Sequence, residues 1–171
     1  MTQAQGLLFE NRVLPMNSAC YSRAILYRKA QGKKRLAGYK DKIELLLHSD
    51  FDPARLLRLP ETDKLISELQ ARNESSCEPL EFASAAASLD FASSRMADRR
   101  VYLLIDDDWK YCGAYRLESA RSLCTGFDFD QAKSDEVRLI SSDFCTQLSI
   151  DYSEDRGVGI FECCLRTYAS T

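Results

Sequence analysis

The side chains of this sequence that could do chemistry are an acidic run, one histidine and seven cysteines. Asp106, Asp107 and Asp108 are consecutive carboxylates, and two aromatic residues, Trp109 and Tyr111, follow them. Clustered oxygen ligands suit calcium or magnesium, but calcium loops space their carboxylates at alternate positions with a glycine and a distal glutamate. The run therefore predicts a solvated acidic turn and no metal site.

His48 is the only histidine, so any serine–histidine or cysteine–histidine mechanism would have to use it. It follows a run of leucines near the predicted end of a helix, where the helix dipole favours a charged imidazole. The sequence has no G-x-S-x-G segment to supply a nucleophile. The pattern favours a capping or surface histidine, and a small enzyme that combines His48 with a cysteine or carboxylate is an alternative.

The cysteines are odd in number, scattered in spacing and without a C-x-x-C pair. The N-terminal residues MTQAQGLLFENR lack the basic lead and apolar run of a signal peptide, so we expect reduced thiols and a cytoplasmic location. A zinc site would require distant cysteines to converge. Complete glycine-rich phosphate loops are also missing, so the sequence predicts neither a metal nor another cofactor.

Charge is unevenly distributed along the chain, whose formal net charge is −3. Residues 100–171 carry 8 Lys and Arg against 13 Asp and Glu, whereas residues 1–99 carry 15 against 13. The basic charge is concentrated in residues 23–42, together with Tyr21, Tyr27 and Tyr39. Basic and aromatic residues suit phosphate contacts and base stacking, so a nucleic-acid-binding accessory protein that uses this segment is the first alternative, ahead of the enzyme. The pI of about 5.3 argues against a dedicated nucleic-acid binder.

The elements that must position these residues are predicted as helices in the first hundred residues. A helix is expected from Asn17 or Ser18 to about Ala30, where Gly32 ends it. The segment 32–38 is expected as a loop or a frayed helix end. The other elements expected in this half are a first strand or ordered arm over 7–14, helical character over 40–47, a short helix after Asp52-Pro53, a helix after Thr62 and a helix from Leu80 to Leu89.

From Val101 the hydrophobic period becomes two, which predicts strands. The expected strands are 101–105, 109–115, 136–141, 144–152 and 158–168, with a short helix over 117–124 and core positions at Phe144, Leu148 and Ile150. We therefore expect one α+β domain over residues 1–171. In it, four or five helices cover one face of a four- or five-stranded, mostly antiparallel sheet.

The segments YLLIDDDWKYCGAYRLESA and EVRLISSDFCTQLSIDYSEDRGVGIFE resemble the small α/β proteins that act as immunity or antitoxin partners in bacterial polymorphic-toxin systems. The shared features are a strand that enters an acidic-aromatic turn, a short helix, and a hairpin that ends in a long strand. The resemblance covers about residues 100–165 and none of the helical half.

The resemblance implies a protein without enzymatic activity that neutralises a protein partner by binding it, often with an acidic surface over the basic active site of a toxin. Opposed charges speed encounter, and aromatic anchors supply binding energy. If the two turns lie at the same end of the sheet, the expected contact residues are Asp106, Asp107, Asp108, Trp109, Tyr111, Glu154, Asp155 and Arg156. A position for Trp109 and Tyr111 in the core is the competing expectation.

Overall fold

The structure is a computed structural model, and it describes residues 18–169, so the expected strand over 7–14 lies outside the described residues. The helices are α1 (Ser18–Leu47), α2 (Leu59–Gln70), α3 (Ala85–Arg95), α4 (Trp109–Cys112) and α5 (Phe129–Ala132). The strands are β1 (Glu74–Phe82), β2 (Val101–Ile105), β3 (Tyr115–Leu117), β4 (Glu136–Ser141), β5 (Thr146–Asp155) and β6 (Val158–Tyr168).

The six strands form one antiparallel sheet in the order β1-β6-β5-β4-β2-β3. The α+β class is confirmed, but the sheet has six strands rather than the four or five expected. The difference is β1, where the sequence predicts a break and a restarting helix. Within the part of the chain described, β1 is an edge strand that pairs only with β6 and is mostly exposed, so it lacks apolar alternation and tolerates Pro79.

One face of the sheet carries the larger part of the core. Rows of paired residues such as Ile105, Val137, Ile150 and Cys163 lie on this face and are buried. Helices α1 and α3 cover it with Tyr39, Ile43, Leu46, Leu89, Ala92 and Met96. The predicted alternation of β4, β5 and β6 is confirmed, because burial of one side of each strand sets the register.

Residues 18–169 cover the opposite face of the sheet only in part. Leu65 and Leu69 of α2 pack on Leu104 of β2 and Ile140 of β4. Farther along the same face the paired residues are polar, and we call this part, on β5, β6 and β1, the open face. Phe144 was expected on the side of Leu148 and Ile150, but it has φ +56 in the turn before β5 and packs with the α2 cluster.

Four carboxylates lie side by side across the open face. The register pairs Glu81 of β1 with Glu162 of β6, Glu162 with Asp151 of β5, and Asp151 with Glu136 of β4. Glu136 also contacts the guanidinium of Arg138. Like charges that face each other across strands destabilise a sheet, so this carboxylate row weakens the fold in the free protein.

Helix α1 is continuous, so the predicted end at Gly32 is wrong. A Cβ atom at Gly32 would lie 2.3 Å from the backbone oxygen of Tyr111, whereas one at Gly38 would meet nothing within 4 Å. The glycine at position 32 therefore permits α4 to approach α1. The reason for a glycine at position 32 is therefore the contact with Tyr111, which is distant in sequence, and not the end of a helix.

The expected strand over 109–115 is also wrong at its start. The chain turns at Asp106, which has φ +49, and forms the single turn of α4 before Gly113, which has φ +106. Only Tyr115–Leu117 continues as a strand, next to β2. The expected helix over 117–124 is reduced to a 3₁₀ turn at Ala120–Ser122.

The two glycines of α1 provide a matched test of this packing. We expect Gly32→Ala to lower the free energy of unfolding by about 2 kcal/mol, because the new methyl group collides with backbone. Gly38→Ala should raise it by about 0.5 to 1 kcal/mol through helix propensity. Urea unfolding at 25 °C measures both, and equal shifts in the same direction would contradict the contact between α1 and α4.

Candidate functional site

The acidic turn after β2 is largely used inside the protein. The Oδ1 atom of Asp106 accepts hydrogen bonds from Ser134 Oγ at 3.0 Å and from the backbone amides of Asp135 at 2.8 Å and Glu136 at 2.9 Å. Its Oδ2 atom accepts from Lys42 Nζ at 2.5 Å. Asp106 thus ties the end of β2 to the start of β4 and to helix α1.

Lys42 is shared between two carboxylates. Its ammonium group donates to Asp106 and, at 2.9 Å, to Asp108 Oδ2, and its side chain is only 16% exposed. Burial lowers the pKa of Lys42, but the hydrogen bonds to the two carboxylates outweigh it and raise the pKa above its usual value. Asp108 also contacts Arg35 at 3.3 Å. Of the three aspartates, only Asp107 is mainly exposed, at 70%, beside Lys110.

Trp109 and Tyr111 are half-buried where α4 packs between α1 and α2. Trp109 packs against both core clusters. The guanidinium of Arg35 lies 4.3 Å from the ring centre of Tyr111. Both aromatic side chains also line a groove of about 560 Å³ between α1 and α2, with Tyr27 and Ile66. They are therefore separate from the hairpin tip that was expected to complete the same site.

The basic segment 23–42 is partly neutralised. Arg28 contacts Asp63 at 2.8 Å, Arg35 and Lys42 contact the acidic turn, and Lys40 contacts Glu44 at 3.6 Å. Within the described residues, four cations of this segment form no ion pair: Arg23, Lys29, Lys33 and Lys34. Three of the eight cations thus link α1 to other elements and a fourth is paired within the helix, which weakens the nucleic-acid alternative.

The tip of the β5–β6 hairpin lies at the same end of the sheet as the acidic turn. Ile105 pairs with Val137 at this end, and the hairpin extends beyond Asp151, the β5 partner of Glu136. The side chains of Asp155 and Arg156 at the tip are 71% and 93% exposed, and Glu154 is also exposed. The geometric condition for a combined surface is met for Asp107, Glu154, Asp155 and Arg156.

Beside this hairpin lies a groove of about 580 Å³ that the sequence did not predict. Phe129, Tyr152 and Phe161 form its aromatic floor, with ring centres 5.1 to 5.6 Å apart. A Cβ atom at Gly159 would lie 3.0 Å from the ring of Tyr152, so the glycine leaves room for that ring. We call this feature the hairpin groove. Its residues come from α5, β5 and β6, and no local pattern unites them.

Two aspartates line the hairpin groove, and one of them binds its tyrosine. The hydroxyl of Tyr152 donates to the carboxylate of Asp130, whose two oxygens are both 2.8 Å away. That hydrogen bond, and after it burial and the charge of Asp130, raises the pKa of Tyr152 to about 12. Asp128 accepts a hydrogen bond from the Gln131 amide at 3.1 Å. The groove therefore combines aromatic faces with two carboxylates.

Other carboxylates surround this end of the sheet without cationic partners. Within the described residues, six of them form no ion pair: Asp128, Asp130, Asp135, Asp151, Glu154 and Glu162. Together with Asp107 and Asp155 we call them the acidic end. Lys133 and Arg156 are the basic side chains of the segments that carry these residues. Exposed charge of one sign attracts a partner of the opposite sign over a Debye length.

His48 does not belong to any of these features. It follows the last residue of α1 with φ +48, is exposed, and makes no hydrogen bond or ion pair within the described residues. No thiol or carboxylate in this part of the chain is positioned to share a proton with it. Across residues 18–169, moreover, no group of three or more His, Cys, Asp or Glu side chains could hold a metal ion.

Comparisons with protein-family models, curated proteins and solved structures give no match for this chain. In the part of the chain described, no helix is long and apolar enough to cross a membrane.

The acidic turn can be tested for a structural role with two neighbouring substitutions. Asp106→Asn should lower the free energy of unfolding by about 2 to 4 kcal/mol, because it leaves Lys42 short of a partner and weakens three hydrogen bonds. Asparagine tolerates a positive φ, so the backbone is not the cause. Asp107→Asn should change stability by less than about 0.5 kcal/mol. Urea unfolding measures both variants. Similar losses in their free energy of unfolding would refute a structural role that belongs to Asp106 and not to Asp107.

The bond between Tyr152 and Asp130 predicts a pH dependence. A raised pKa favours the neutral phenol in the folded state, so its contribution to stability is complete below pH 10 and is lost as the pH rises towards 12. Asp130→Asn should move the titration of Tyr152 down towards 10. Absorbance of tyrosinate against pH measures this, and the Tyr152→Phe spectrum identifies the signal of Tyr152. An unchanged midpoint in Asp130→Asn would rule out the assigned cause.

Proposed function

We propose that this protein is a non-enzymatic binding protein that neutralises a basic protein partner, a bacterial toxin domain. The observation that carries the proposal is the acidic end, which adjoins the hairpin groove and in which six of the eight carboxylates form no ion pair within the described residues. The described residues neutralise Asp106 and Asp108 with cations of α1 but leave most carboxylates of the acidic end unpaired, so surplus negative charge lies in one place.

The proposed contact surface differs in part from the residues expected from sequence. Glu154, Asp155, Arg156 and Asp107 remain in it because they are exposed at one end of the sheet. Asp106 and Asp108 act indirectly, by holding the turn in position. Trp109 and Tyr111 are assigned to the packing of α4 against α1 and α2, since their rings lie among these helices.

The hairpin groove supports a specific mode of recognition. A Lys or Arg side chain from the partner would lie over the aromatic floor and reach the carboxylates of Asp128 and Asp130. A cation over an aromatic ring contributes about 0.5 to 2 kcal/mol, and desolvated anchors of this kind dominate protein interfaces. The surrounding carboxylates would act mainly on the rate of association.

Neutralisation would follow from coverage of the partner's active surface. Nucleic-acid-cleaving toxins need positive charge to hold phosphates, so an acidic protein bound there competes with the substrate. This step rests on the resemblance to immunity-type proteins and on charge complementarity. It requires no catalytic group in the neutralising protein.

The proposal is tested by charge reversal at the hairpin tip. The tagged protein is used to capture partners from a lysate of the source cell, and the captured protein is purified and identified. It is then titrated with the tagged protein in two assays, one of its association rate and one of its toxic activity. We expect a one-to-one complex in which an equimolar amount abolishes the partner's toxic activity. Glu154→Lys combined with Asp155→Lys should slow association at least about 10-fold at low salt.

The matched control reverses two exposed carboxylates elsewhere, Glu68 on α2 and Glu118, which pairs with Arg100 at the opposite end of the sheet. Glu68→Lys combined with Glu118→Lys changes the net charge equally and should leave association within about 2-fold. Failure to obtain a stoichiometric partner, or equal effects of the two double variants, would overturn the proposed surface.

A further inference from the structure

Two cysteines that are distant in sequence meet on the open face. Cys77 of β1 and Cys164 of β6 are 87 positions apart, and their Sγ atoms lie 2.8 Å from each other. In the register, Cys77 faces Arg166 and Cys164 faces Pro79, so the two cysteines are diagonal neighbours across the outermost strand pair. An S–S bond of about 2.05 Å would require the sulfurs to approach by less than about 1 Å.

The pair is accessible, and it can move. Cys77 is exposed and Cys164 is half-buried, whereas the adjacent Cys163 is buried in the core on the other face. Within residues 18–169, strand β1 pairs only with β6, so a small shift of β1 disturbs no other strand of the described sheet. A reagent in solution can therefore reach Cys77 without unfolding of the sheet.

We propose that Cys77 and Cys164 are a reversible oxidation site, at which a disulfide joins edge strand β1 to β6 when a small-molecule disulfide such as glutathione disulfide is present. This differs from the reduced state expected for all seven cysteines, because cysteine spacing in sequence gives no information on which strands become neighbours.

The reaction proceeds in two exchanges. The thiolate of the exposed Cys77 attacks glutathione disulfide, which forms a mixed disulfide on Cys77 and releases one glutathione thiolate. The thiol of Cys164 then gives up its proton as its sulfur attacks Cys77 Sγ, which forms the intramolecular bond and releases the second glutathione as a thiolate. The two cysteine protons pass to the two glutathione thiolates, so the protein loses two electrons and one glutathione disulfide becomes two glutathione thiols.

Burial, and after it the hydrogen bond to Cys77, raises the pKa of Cys164 to about 11, so Cys164 is a thiol at neutral pH. Cys77 is the exposed member of the pair, so attack on the reagent begins at Cys77. The contact between the sulfurs then makes Cys164 the nearest thiol that can resolve the mixed disulfide.

The disulfide would hold the edge strand in place. Without it, β1 is attached to the sheet through its pairing with β6 and its link to α3, and edge strands are prone to local opening. A bond that closes so long a loop restricts the unfolded chain strongly. We expect the oxidised protein to have an apparent Tm about 5 to 15 °C above that of the reduced protein.

The test incubates the full chain with glutathione disulfide and analyses it by mass spectrometry without reduction. Oxidation should lower the mass of the protein by two hydrogens. Tryptic digestion should give one cross-linked species that joins residues 73–95 to residues 157–166. The second peptide contains Cys163 as well as Cys164, so Cys163→Ala is needed, and it should retain the cross-link.

Matched variants distinguish the intended bond from other thiol chemistry. Cys77→Ser and Cys164→Ser should each abolish the cross-link and the rise in Tm, whereas Cys20→Ser, which removes another exposed thiol, should change neither. A stable mixed disulfide on Cys77, a cross-link through another cysteine, or a disulfide between two chains as the main product would overturn the proposal. These outcomes do not depend on any protein partner.

Discussion

The structure depends on the charge of Lys42 between two carboxylates. Lys42 belongs to α1, whereas Asp106 and Asp108 belong to the turn after β2, so one ammonium group fixes the longest helix against the sheet. Asp106 extends this connection to the start of β4. Close by, the hydroxyl of the fully buried Tyr39 donates to the backbone oxygen of Gly113 at 2.9 Å. Removal of one member would leave the others desolvated and unpaired.

This use of charge separates the acidic residues into two groups. Asp106 and Asp108 near α1 are neutralised by Arg35 and Lys42 of that helix, although the acidic turn and the basic segment appear in sequence as two separate binding surfaces. Near the β5–β6 hairpin, six carboxylates form no ion pair with any cation of residues 18–169. The same end of the sheet also has the aromatic floor of Phe129, Tyr152 and Phe161. Charge left over after folding is therefore the better guide to a binding surface than total charge.

Sequence reasoning succeeds where one strand face is buried and fails where distant contacts decide. The alternation of β4, β5 and β6 could be predicted because core burial imposes it. Strand β1 could not, because an exposed edge imposes no pattern. Gly32 resembles a helix end, yet its role depends on Tyr111. The run after Asp108 alternates like a strand, but positive φ angles at Asp106 and Gly113 redirect the chain. The hairpin groove joins segments that only the fold brings together.

The carboxylate row across β4, β5, β6 and β1 adds an unfavourable electrostatic contribution to the free energy of the folded sheet. Each carboxylate repels its neighbour, and any cation that binds there relieves part of that repulsion. By mass action, whatever lowers the energy of the folded state more than that of the unfolded state also raises the melting temperature. Basic polypeptides should thus act as thermal stabilisers of this fold, and the gain should diminish as added salt screens the row.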